Sequence, residues 1–293
     1  MSIALLFPGQ GSQTVGMGRV LYEKSARARK LFEEAEAVLG IPLRQYMFEG
    51  PPEMLKRTSI TQPALYVHGY VVAVERGIEP AAVAGHSLGE FTALAVAGVF
   101  EFVEGLHLVK IRAEAMQAAC DEKPGTMAAI IGLPNDVVER LCQEITEGVV
   151  VPANYNSPGQ IVVSGDIAAV EALIPRAKAA GARLAKKLEV NGAFHSPLMA
   201  SAREKLAAAI AATPFRAPRH AIYPNVTARA TKDPHQLKEL LTEQLTAPVR
   251  WAQTLQNMWA DGIRTFYELG PGNVLVGLVK RTLSEAEAVA YDV

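Results

Sequence analysis

The sequence predicts an α/β fold in which a large domain, built on a mostly parallel sheet, carries a smaller inserted unit. Three observations carry this prediction. Short apolar runs alternate with helical patterns through the first 123 residues, as parallel strands with crossover helices require. The rhythm changes near residue 125 and returns near residue 191. A G-x-S-x-G turn, "GHSLG", joins an apolar run to an Ala-rich one, the strand–turn–helix setting of a nucleophile elbow.

Taken in order, "SIALLF" reads as a first buried strand. It is too short, and lacks the basic flank, to be a signal peptide. "PGQGSQTVGMG" is a glycine-rich loop. Residues 20–39 set Leu, Phe, Ala and Val at helical spacing, which predicts one helix. "TQPALYVHGYVVAVERG" opens on Thr61 with Pro63 near its first turn, a helix start. "AAVAG" is a short strand, "FTALAVAGVF" a helix, and residues 102–119 another helix. The elbow between the first two makes the large domain α/β-hydrolase-like.

The inserted unit reads strand ("TMAAIIGL"), helix ("PNDVVERLCQEI"), hairpin ("VVVPANYNSPGQIVVSG", turning at Ser-Pro-Gly), helix closed by Gly181, and strand ("ARLAKKLEV"). This βαββαβ order is the ferredoxin-like arrangement. The expected division is 1–123 with 191–293 for the large domain and 124–190 for the small one. Beyond it, "SPLMASAREKLAAAIAAT" is a helix, and "AIYPN" and "TFYELG" are strands.

With 293 residues, 49% of them hydrophobic and 20% charged, the chain can bury a sizeable core. Its net charge of −1 gives no overall attraction to nucleic acid or membrane surfaces. No apolar run is long enough to span a bilayer. The two cysteines, Cys120 and Cys142, are not spaced as a metal or redox pair, so no metal and a reducing cytoplasm are expected.

In the elbow, Ser87 is lifted above the sheet edge, and the Leu88 amide points where an oxyanion would form. A serine needs a base. Of six histidines, His195 lies between the last strand of the insert and a helix, with Ser196 as N-cap and Pro197 at the first helical position. That fixes it in place at a loop, and it is the candidate base. His86 reads as packing support, His107 as solvated and His68 as a core histidine. His220 and His235 read as loop residues without partners. No acid is singled out, although Asp166 and Glu189 are conceivable. The expectation is a Ser-His dyad whose imidazole is oriented by a backbone carbonyl.

Arg112 falls on the wrong face of its helix, among Leu108, Val109, Ala115 and Met116. A guanidinium there receives a substrate carboxylate, belongs to an internal ion pair, or reaches water by snorkelling along its stem. Gln10, between two glycines, is either a second oxyanion donor or part of a surface turn.

These stretches together resemble the malonyl-CoA:acyl carrier protein transacylase family of acyltransferases. The resemblance rests on "FPGQGSQ", "TQPAL", "GHSLGE", "IRAEAMQ", "NYNSPGQ", "GAFHSPLM", "PVRW" and "ELGPGNVLVGLVKR", in that order along nearly the whole chain. It implies that Ser87 is acylated, that His195 is its base, and that the amides of Gln10 and Leu88 form the oxyanion hole. It implies that Arg112 holds the malonyl carboxylate and that Gln244 offers its backbone carbonyl to the histidine. Phe194 in "GAFH" would crowd a substituent on the malonyl α-carbon. The reaction implied is ping-pong transfer from malonyl-CoA to the phosphopantetheine thiol of acyl carrier protein, in fatty acid synthesis. Coenzyme A thioester enters as substrate, with no bound cofactor. A monomer is expected, as is a carrier surface near Lys186 and Lys187. The elbow alone would also suit an esterase or thioesterase.

Overall fold

β1 (Ile3–Phe7) is the central strand of the larger of two sheets, and its side chains alternate between two cores. Leu5 and Phe7 face one core, with Phe32, Tyr66, Phe91 and Leu106. Ala4 and Leu6 face the other, with Trp251, Leu255 and Phe266. The computed structural model describes residues 2–292. From β1 the chain passes through α1 (Arg19–Lys24), α2 (Ala26–Leu39), α3 (Leu43–Phe48) and α4 (Pro52–Leu55). It continues through α5 (Thr58–Arg76), β2 (Ala82–Gly85), α6 (Gly89–Val96) and α7 (Phe102–Glu122).

The single helix expected over residues 20–39 is two helices. Ser25 is extended between them, and its side chain accepts from the Ala28 backbone N–H, so it caps α2. The helix start expected at Thr61 lies earlier, at Thr58. Thr61 instead gives its hydroxyl to the Leu55 carbonyl, and Pro63 sits inside α5. The short helices α3 and α4 had no sequence signal, because runs of six and four residues are too short to show a period.

The second sheet follows as β3 (Gly125–Ile131), α8 (Asn135–Gln143), β4 (Val150–Ser157), β5 (Gln160–Asp166), α9 (Ile167–Ala179) and β6 (Leu184–Lys187). Its four strands are antiparallel in the order β4–β5–β3–β6. The last strand is half the length expected. The sheet packs its own core around Ile130, Tyr155, Val163, Val170 and Leu173.

The chain then returns through a 3-10 turn (Pro197–Met199), α10 (Ala200–Ala212), β7 (Ala221–Ile222) and α11 (Pro234–Glu243). A second 3-10 turn (Gln244–Thr246), α12 (Trp251–Ala260), β8 (Thr265–Leu269), α13 (Val274–Thr282) and β9 (Glu287–Tyr291) complete it. The larger sheet is all parallel in the order β7–β2–β1–β8–β9. A backbone bridge joins the smaller sheet to the segment before α12. A register shift in β4 between Pro152 and Asn154 frees backbone groups there. Val249 uses them, donating to the Ala153 carbonyl at 2.8 Å and accepting from the Tyr155 N–H at 2.9 Å. Among the described residues, no helix is long and apolar enough to cross a membrane.

Candidate active site

The elbow is built by close backbone packing. A Cβ on Gly85 would lie 1.8 Å from the Gly89 carbonyl carbon, and one on Gly89 would lie 2.0 Å from the Phe7 carbonyl oxygen. Only glycine fits either position. The turn between them places Ser87 at φ 53°, in the left-handed region that costs a non-glycine residue about 1–2 kcal/mol. Hydrogen bonds hold it there. The Ser87 N–H donates to Asn225 Oδ1 at 2.8 Å, and Asn225 Nδ2 donates to the Gly85 carbonyl at 2.7 Å. The Ser87 carbonyl accepts from Gln244 Nε2 at 3.0 Å.

His195 Nε2 is 2.8 Å from Ser87 Oγ. Its Nδ1 is 3.0 Å from the Gln244 carbonyl and 3.2 Å from that of Ala247. Two acceptors at Nδ1 put the proton there and leave Nε2 as the acceptor for the serine O–H. The ring is 3% exposed, and burial, helped by the nearby Arg112 charge, lowers its pKa to about 3. Ser196 caps the following turn, accepting from the Leu198 N–H, and Pro197 is its first residue. Among the described residues, no carboxylate reaches the imidazole. Asp166 accepts from the Val149 N–H at 2.7 Å instead, and Glu189 is exposed.

Arg112 is 1% exposed, and among the described residues it forms no ion pair. Its Nη1 donates to Gln62 Oε1 at 2.7 Å, and its Nη2 donates to Ser87 Oγ and to Gln244 Oε1, each at 3.1 Å. Its partners are thus neutral oxygens. Burial lowers its pKa to about 9, with the Glu90 charge acting in the opposite direction, so it remains a cation at neutral pH. A buried cation beside the serine, with no anion in contact among the described residues, is chemically able to receive one.

These groups open on a cavity of about 560 Å³, whose lining includes Gln10, Ser87, Leu88, Arg112, Phe194 and His195. Leu88 is buried at the start of α6, and Gln10 is exposed, its side-chain Nε2 donating to Thr58 Oγ1 at 3.3 Å. The smaller sheet supplies the opposite wall through residues such as Met127 and Val162. Lys186 and Lys187 are exposed and do not line the cavity, and Lys187 pairs with Glu171 at 2.7 Å. No cluster of His, Cys, Asp and Glu that could hold a metal occurs among the described residues.

Among the other histidines, His86 meets Asn156 Oδ1 at 2.8 Å and sits edge-on to Trp251. His107 is exposed. His68 is buried 3.2 Å from an Asp292 carboxylate oxygen. Two lie otherwise than expected: His220 is 3.6 Å from Glu79, and His235 is the second residue of α11, its backbone N–H capped by the Asp233 side chain. The sequence reading missed Gln62, Glu90 and Asn225. Gln62 and Glu90 carry the signal that exposed Arg112, a polar group in an apolar helical setting. Asn225 lies in a loop and carries no such signal.

The family model for the acyl transferase domain matches residues 4–292. A malonyl CoA-acyl carrier protein transacylase of Bacillus subtilis (strain 168) is 42% identical over 293 residues, covering 98% of this chain and 92% of its own. The crystal structure of an acyl-carrier-protein S-malonyltransferase from Bartonella henselae superposes with a TM-score of 0.96 at 39% identity, covering 100% of this chain and 96% of that one. A malonyl-transacylase solved in complex with its type II PKS acyl-carrier protein gives a TM-score of 0.96 at 38% identity, with the same coverage.

Proposed function

The chain belongs to the acyl transferase domain family, and on that premise we propose that it moves malonyl groups from malonyl-CoA to the phosphopantetheine thiol of an acyl carrier protein. The observation that carries this reading is the guanidinium of Arg112, 3.1 Å from Ser87 Oγ and free of any carboxylate. It selects an acyl group that ends in a carboxylate and sets its thioester carbon against the hydroxyl.

In the proposed cycle, Ser87 Oγ attacks the thioester carbon while His195 Nε2 takes its proton. The backbone amides of Gln10 and Leu88 receive the oxyanion. When the tetrahedral adduct collapses, the C–S bond breaks, His195 returns the proton to the departing thiolate, and malonyl-serine remains. The carrier thiol then attacks this ester, giving its proton to His195, and the serine oxygen leaves with that proton. The Gln244 carbonyl keeps the imidazole turned to the serine throughout. Phe194 narrows the space beside the malonyl α-carbon. Thiol enters and thiol leaves, so the cycle runs in both directions.

We assign residues 1–123 and 191–293 to an α/β-hydrolase-like catalytic domain and residues 124–190 to a ferredoxin-like one. The antiparallel order β4–β5–β3–β6 supports the second assignment. The same reading makes the protein a cytoplasmic monomer that supplies malonyl units to fatty acid or polyketide synthesis, with coenzyme A present only as part of the substrate. Intact-mass measurement after mixing with malonyl-CoA tests it. One malonyl group is expected on the wild-type chain and none on Ser87→Ala; a malonylated Ser87→Ala protein would overturn the assignment.

A further inference from the structure

Glu90 lies in the first turn of α6, is 1% exposed, and has no part in the steps above. One of its oxygens, Oε2, accepts two hydrogen bonds, from Gln244 Nε2 at 2.8 Å and from the Asn225 backbone N–H at 3.0 Å. Both donors belong to segments far along the chain, and both also grip the elbow. Asn225 holds the Ser87 N–H and the Gly85 carbonyl through its side chain. Gln244 holds the Ser87 carbonyl with Nε2, holds Arg112 with Oε1, and turns its own carbonyl to His195 Nδ1.

Resting on the acyl-transfer reading above, we propose that Glu90 is a positioning residue, a single buried acceptor that locks Gln244 and Asn225 against the elbow and so sets the serine–histidine alignment. The carboxyl touches neither the reacting atoms nor the imidazole. Its role is to give the Gln244 amide one fixed orientation. With Nε2 directed to Glu90 and the Ser87 carbonyl, Oε1 is left to Arg112, and the backbone carbonyl faces the histidine. Without that acceptor the amide loses its anchor, and Nδ1 loses a defined partner. Arg112 keeps its bond to Gln62, so the carboxylate receptor survives while the alignment suffers.

The prediction is therefore a split between turnover and substrate binding. Glu90→Ala lowers kcat for malonyl transfer by about 30-fold or more, with KM for malonyl-CoA within about threefold of wild type, as expected when reacting groups are misplaced rather than substrate lost. Labelling of Ser87 by a fluorophosphonate slows by a similar factor. Glu90→Gln, which keeps an oxygen where Oε2 stands, recovers most of both rates. Wild-type kcat in Glu90→Ala, or a Glu90→Gln protein as impaired as Glu90→Ala, overturns the proposal. If Glu90→Ala does not fold, Glu90→Asp, which withdraws the acceptor by one methylene, is measured instead; wild-type rates in that variant overturn it equally. The fluorophosphonate arm does not depend on the acyl group. If wild-type protein took no malonyl, the substrate reading would fail while the Glu90 claim was still decided.

Discussion

At the scale of single residues, the site turns on a histidine kept neutral by its surroundings. Burial, with Arg112 nearby, lowers the His195 pKa to about 3, below the ordinary value near 6.5. A base with a lowered pKa is unprotonated above that value and is lost only as pH falls through it. The acid limb of acyl-enzyme formation is thus expected well below pH 6, as stopped-flow measurement from pH 4 to 8 would show; a limb centred near 6.5 would contradict it. For Arg112→Ala, malonyl loading is expected to fall on the order of 100-fold in kcat/KM, about 2.7 kcal/mol. Acetyl loading, which offers the guanidinium no carboxylate, should fall far less. Steady-state kinetics with both thioesters checks this. Ser87, His195 and Arg112 were legible because each broke a local pattern: a cramped turn, a capped loop, a charge on an apolar face. The Gln244 carbonyl broke none, since every residue has one, and only the likeness to known sequences pointed to it. Asn225 stayed hidden because its partners are set by tertiary packing alone.

At the scale of elements, sequence periodicity found most strands and the longest helices, missed β9 and α11–α13, and misjudged several boundaries. Residues 20–39 show one helical period, yet Ser25 leaves it to cap α2. A hydrogen-bonding side chain there competes with the helix for the backbone, and the pattern of apolar residues cannot report the break. Ser25→Ala is expected to cost about 1 kcal/mol, seen as a lower melting temperature with acyl transfer unchanged. Gly85→Ala is a harsher test, because its methyl group would meet fixed backbone. A loss of about 3 kcal/mol or more is expected, measured by denaturant unfolding.

At the scale of the whole molecule, two buried titrating groups pull stability in opposite directions as pH changes. The Glu90 carboxyl is raised to about 7 by burial, so the folded protein holds that proton more tightly than the unfolded chain. Its contribution is present below its ordinary value near 4.5 and is lost as pH rises through 7. His195, with its lowered pKa, contributes above its ordinary value and loses that contribution as pH falls below it. The melting temperature of Glu90→Gln relative to wild type should therefore climb between pH 5 and pH 9; a constant difference in calorimetric scans would refute it. The order of elements in the smaller sheet could be anticipated from spacing, but its seat against the larger one could not. That seat includes Val249, which pairs with the irregular stretch of β4. Val249 follows Pro248, whose ring fixes the backbone φ, and Ala247, whose carbonyl faces His195. One short segment thus meets the small sheet at one end and His195 Nδ1 at the other. Within three consecutive residues the chain joins a cavity wall to the acceptor at the imidazole.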